Sequence, residues 1–329
     1  MTTELNGPLY HYTSQAGLLG IIKNKSIWAT NILYLNDMAE FTHAVDLFQE
    51  EAPKFRKSAQ NDLENNFLDY LCNDISRVAG TDTRGQPIVA PWFFELYGIY
   101  VCSLSTESDQ LSQWRGYCPN GNGFSVGFNS DWLARLAKQQ GFKLASCEYD
   151  PKKQQALIRE FLGEALQTYR EMSAVKDLAS WPACSLAEDK KSCGVCLEHK
   201  DPKLCSVRKA WFKFLELAPR LKHEKFSEEN EWRLISEPIS HDAKLPPESQ
   251  ESRIRFREGK SMLVPYLEFN LSEAKIPGCI EEIWIGPTPH PVLSFMSVGQ
   301  YLTAMGTLGW AFAGWDRIIK RSSIPYRAW

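Results

Sequence analysis

No stretch of the 329 residues approaches the roughly 18 to 20 unbroken apolar residues that a membrane-spanning helix needs. The opening MTTELNGPLY has neither a basic leader nor an apolar core, so an exported precursor is not expected and a cytoplasmic location is. Charge of one sign is also scarce: a formal net charge of -3 excludes a global electrostatic pull towards membranes or nucleic acid and leaves only local patches to argue from. No glycine-rich phosphate fingerprint follows a strand-like run, which excludes Rossmann and P-loop readings. Internal repeats and low-complexity tracts are missing, so a solenoid is excluded. The nine cysteines, an odd number without an export signal, argue against a disulfide framework and leave metal binding or burial to explain them.

With 43% hydrophobic and 23% charged residues, the chain belongs to the globular class. Apolar periodicity predicts strands at 9–13, 27–30, 99–104, 123–128, 231–236, 254–257, 262–269, 280–285 and 317–320. It predicts helices from Ser14, around Phe41, Val45 and Phe48, and over 54–75, 108–117, 131–140, 152–176 and 207–223. Helices and strands mix without regular βαβ alternation. The expected fold is therefore α+β, with a central, largely antiparallel sheet flanked by helices.

Cys184, Cys193, Cys196 and Cys205 are spaced C-x8-C-x2-C-x8-C in a segment, 181–206, with few apolar residues to bury a thiol among. A C-x2-C turn offers two sulfurs from one side and the outer cysteines close a tetrahedron, so one structural zinc ion is expected, with His199 able to replace a cysteine. A redox role for Cys193 and Cys196 would need a strand feeding into the motif, and none does.

Other candidates are individually ambiguous. His11, in Leu9-Tyr10-His11-Tyr12-Thr13-Ser14, is either a hydrogen-bonded core residue or a functional one. Glu229, Glu231 and Arg233 alternate, which would put three charges on one strand face: a solvated face, or a cleft edge where carboxylates steer charge and the arginine grips a phosphate. Trp114 and Tyr117, one turn apart on a short helix with Arg115, either wall a flat ring or pack the helix onto the sheet. Arg253, Arg255 and Arg257 alternate as a basic stripe, either solvated or able to touch phosphates. Cys102 and Cys118 carry no local signature of a nucleophile.

Several of these pieces occur together and in order: the HYTS run, Ile27-Trp28-Ala29-Thr30, Tyr34-Leu35-Asn36-Asp37 with Glu40, Ser112-Gln113-Trp114-Arg115-Gly116-Tyr117, Gly123 to Phe128, and Glu229-Asn230-Glu231-Trp232-Arg233-Leu234. In this the sequence resembles the bacterial family called domain of unknown function 2971. That family in turn resembles the ADP-ribosyltransferase fold. The resemblance implies a single domain over 1–329 with the zinc knuckle inserted at 181–206, and NAD as substrate. It implies that His11 holds a ribose hydroxyl, that Trp114 or Tyr117 flanks nicotinamide, and that Tyr12, Arg115 and Arg233 complete the dinucleotide site. Glu231 would be the catalytic carboxylate and Glu229 the one directing the acceptor, while Ser103, Ser105, Trp114 and Tyr117 compete for the middle position. The implied activity is ADP-ribosyl transfer to an unidentified protein or nucleic acid, as in a bacterial toxin or antiviral defence effector. The alternatives are hydrolysis of NAD, or a non-enzymatic zinc-bearing binding module on the same fold.

Overall fold

Apolar residues at every second position give the strands one buried face. Leu9, Ala29, Leu104, Val126, Leu234, Leu267 and Ile283 all join one core, and helices cover it. The computed structural model describes residues 7–35, 39–76, 80–81, 87–88, 97–118, 123–174, 202–240, 253–272, 279–307 and 314–325. The fold is α+β with an open, mixed, mostly antiparallel sheet. Contacts divide the chain into two compact units: residues 1–35, 99–147 and 225–329 form one, and 36–98 with 148–224 form the other.

The first unit holds a ten-stranded sheet. Its strands are β1 (Leu9–Ser14), β2 (Ser26–Asn31), β3 (Tyr100–Ser105), β4 (Gly123–Phe128), β5 (Phe142–Ser146), β6 (Glu231–Ser236), β7 (Ile254–Glu258), β8 (Leu263–Asn270), β9 (Ile280–Ile285) and β10 (Ile319–Arg321). β3 sets the topology. One of its edges pairs with β6 over its length, from Val101 opposite Ile235 to Ser105 opposite Glu231, and β6 continues to β5. A strand has only two edges, so β1 and β2 must share the other. β2 takes its start, with Asn31 opposite Tyr100 and Thr30 opposite Val101, and β1 takes its end, with Tyr10 opposite Ser105. The sheet therefore forks at β3. One arm continues from β1 through β4 and β9 to β10, the other from β2 through β8 to β7.

Helix α1 (Gln15–Asn24) closes the open end of the fork, joining the end of β1 to the start of β2. Ser14 caps it by accepting from the Gly17 amide, and Leu18, Ile21 and Ile22 pack into the core. Lys25 ends it in a left-handed conformation at φ 50°.

The second unit is helical, with α2 (Ala39–Phe55), α3 (Asp62–Ser76), α6 (Pro151–Ala174) and α7 (Pro202–Leu217). Phe41, Val45 and Phe48 are buried as their spacing predicts. Glu51, buried among them, accepts from Arg159 and Lys54. The predicted 54–75 helix is in fact two pieces, because α2 runs on through Pro53 and a 3-10 turn over Arg56–Ser58 separates it from α3.

Three short helices complete the first unit: α4 (Leu111–Tyr117), α5 (Ser130–Gln139) and α9 (Trp315–Ile318), beside the longer α8 (Pro291–Ala304). The sequence reading missed α8, whose even apolarity hides any 3.6-residue stripe. Gly299 inside it has a packing cause: the Trp315 ring lies where a Cβ would stand. Among the described residues no helix is long and apolar enough to cross a membrane.

Candidate functional site

The fork leaves the carbonyl of Ser103 facing a gap between β1 and β2. His11, one residue past the last β1–β3 pair, fills it: its Nδ1 lies 3.0 Å from the Ser103 oxygen and 3.6 Å from the Cys102 sulfur. A carbonyl accepts only from N–H, so Nδ1 carries the proton and Nε2 presents a lone pair. No described residue hydrogen-bonds Nε2, and the side chain is half-buried. Burial lowers the His11 pKa, against a smaller opposing pull from the Ser103 carbonyl, so the neutral tautomer persists at neutral pH.

This lowered pKa ties stability to pH. The folded value lies below the ordinary 6.5, so the contribution is complete above pH 6.5 and is lost as pH falls through the folded value. His11→Asn is expected to flatten the stability profile between pH 6.5 and 5, a difference measurable by urea unfolding at stepped pH.

Cys102 is a poor nucleophile. Burial, and then the negative charge of Glu231, push its thiol up to about 12. Burial raises Cys118 to about 12 as well. Both thiols should resist alkylation at pH 8 in the folded protein and react only after denaturation, a contrast that mass spectrometry of iodoacetamide-treated protein resolves.

Residues directly opposite one another share a sheet face, so Tyr10, Ser105 and Glu231 lie on one side, and Ser103 and Arg233 follow two residues along. His11 points the other way, with Val126 beside it on β4 and Leu104 then Trp232 in the row across β3 and β6. The expected meeting of His11 with Glu231 is therefore not found. Their strands are near neighbours, but the period of two sends the side chains to opposite faces.

Glu231 and Arg233 form a bidentate pair, Nε to Oε1 at 2.7 Å and Nη2 to Oε2 at 2.9 Å, with 4% and 1% of the two residues exposed. Both carboxylate oxygens thus meet the guanidinium. Glu229 does not alternate with them on the strand. It ends a 3-10 turn, Glu224–Glu229, and Asn230 breaks the alternation at φ 43°. Its backbone oxygen accepts from the Ser105 hydroxyl at 2.8 Å, which ties the turn to β3, and its side chain is only partly buried.

Tyr12 and Trp114 pack together on the Tyr10 face, ring centres 4.7 Å apart and edge to face. The Tyr12 hydroxyl donates to the Glu107 carbonyl and accepts from the Gln110 amide, while Trp114 Nε1 donates to Asp109. Trp114 is buried and packs α4 onto the sheet, whereas Tyr117 is 39% exposed and Arg115 exposed, so the two aromatics do not form one wall. No local pattern marks Asp109, which also binds Ser322 and the Ser323 amide and so ties the C-terminal segment to α4. Glu282, which accepts from both Tyr10 and Trp284, was missed too. The 282/284 alternation was its only trace.

Of the expected zinc ligands, Cys184, Cys193 and Cys196 lie outside the described residues, as does His199. Cys205 is described. It is buried within α7, which begins at Pro202 rather than at Val207. Among the described residues no group of three or more His, Cys, Asp or Glu is placed to hold a metal ion.

No curated protein and no solved structure matches the chain. The family described as "Protein of unknown function (DUF2971)" matches residues 113–234, from within α4 to within β6, just over a third of the chain.

Proposed function

We propose that the chain consumes NAD, transferring ADP-ribose to a protein or nucleic-acid acceptor, with His11 in the sheet fork as its ribose-binding residue. The observation that carries this reading is the fixed tautomer of His11: Nδ1 is committed to Ser103, which leaves the lone pair of Nε2, on a half-buried side chain, to accept from a hydroxyl. An ADP-ribosyltransferase-like architecture belongs to the same proposal.

In the proposed reaction the ribose C1'–N bond breaks and nicotinamide leaves with the bonding pair as a neutral base. The acceptor nucleophile bonds to C1' and gives up its proton. The ribose passes through oxocarbenium character, which a nearby carboxylate stabilises. Glu231, buried with both oxygens on Arg233, suits an anchoring role. The partly exposed Glu229 is the better carboxylate for this task. Water as acceptor would make the same site a hydrolase.

The Glu231–Arg233 lock also favours a second reading, a non-enzymatic binding module. Calorimetric titration with NAD separates the two: the enzyme reading expects binding that His11→Ala weakens about tenfold, the loss of one to two hydrogen bonds. A module gives no heat with either protein.

A structural zinc on Cys184, Cys193, Cys196 and Cys205 belongs to the same proposal. Elemental analysis of the purified protein is expected to find about one zinc per chain, lost in a Cys193→Ser/Cys196→Ser variant. A metal-free native chain would refute it.

A further inference from the structure

On the outer arm of the fork, alternation brings arginines and aromatic rings onto one face. β7 pairs with β8 and β8 with β2, so that Arg255, Tyr266 and Thr30 form one row, with Arg257 and Trp28 in the neighbouring rows. Trp28 is 42% exposed, and its ring rests on Tyr266 with centres 4.5 Å apart. Arg255 is exposed. Arg257 is half-buried, its Nε shut off from water with no hydrogen-bond partner among the described residues. Glu268, across from Trp28, is the one acid that these three strands place on this face.

We infer that this face binds single-stranded nucleic acid. Arg255 and Arg257 stand two residues apart on one strand, about 7 Å along it, and offer two cations to successive phosphates. Trp28, backed by Tyr266, is an exposed stacking platform that accepts any base, and the flanking cations complete the pairing of basic track and aromatic ring that single strands need. An acidic protein segment would use the arginines but not the platform. A duplex hides its base faces. Among the described residues no carboxylate pairs with the half-buried Arg257, and an incoming phosphate supplies that anion. This inference stands whether or not the chain consumes NAD.

The test is fluorescence anisotropy of the full chain with a labelled mixed-sequence 12-mer as single-stranded DNA, single-stranded RNA and duplex, and with labelled polyglutamate. Either single strand is expected to bind more tightly than the duplex and polyglutamate. Trp28→Ala should weaken that binding about tenfold and Trp28→Phe much less. Arg255→Glu/Arg257→Glu should abolish it, and Arg255→Ala/Arg257→Ala should reduce the slope of log affinity against log salt by about 1.4. Circular dichroism checks that each variant is folded, and the arginine variants carry the test should Trp28→Ala unfold. Three results would overturn the inference: no binding of either single strand, binding that survives both kinds of substitution, or equal binding of polyglutamate unaffected by Trp28→Phe and Trp28→Ala.

Discussion

Arg233→Met is expected to destabilise the protein by about 3–5 kcal/mol, because it removes the guanidinium that binds both oxygens of the buried Glu231 carboxylate. For a unit of this size that lowers Tm by about 10 °C. The double variant Glu231→Met/Arg233→Met should recover most of the loss, since a buried ion pair replaced by apolar side chains of similar volume is often neutral. A double-mutant cycle by thermal and urea unfolding measures both effects. The result bears on function as well as on stability. If the pair is an anchor between β3 and β5, activity in each variant should track the folded fraction. Activity lost from a fully folded double variant would return Glu231 to the chemistry.

The second large effect concerns Glu229. Glu229→Gln keeps the size of the side chain and removes the charge that stabilises the developing cation, so it is expected to lower the rate of nicotinamide release by about 100-fold or more. The bond from Ser105 reaches the Glu229 backbone, so the substitution leaves that tie between the turn and β3 in place. His11→Ala should lower kcat/KM by about tenfold through lost ribose binding, visible chiefly in KM. Unlike Glu229→Gln, it also opens a gap at the Ser103 carbonyl, so His11→Asn is the cleaner comparison.

The sheet was legible because its strands carry β-branched and aromatic residues at a period of two, and the expected strands at 123–128, 231–236 and 280–285 have the observed limits. The fork was not. It arises from two strands competing for one edge of β3, a long-range choice that no local pattern encodes. The face of His11 was legible, since period two puts it with Leu9 and Thr13. The convergence of Glu231 with His11 that the resemblance implies was not, because it depends on register between distant strands. Glu229 was placed on the strand by charge alternation alone, and the left-handed Asn230 that breaks it is visible only in the backbone. Trp114 illustrates the opposite case: of its two readings, packing is the one its burial and its Asp109 bond fit.

The most direct test of the account is nicotinamide release from NAD by the purified protein, with and without cell lysate, beside Glu229→Gln and His11→Asn folded to the same extent. The account predicts release by the native chain that both variants reduce, dependent on lysate if an acceptor is modified and independent of it if water is the acceptor. No release and no NAD binding under either condition would contradict it and leave the binding module as the function of this fold.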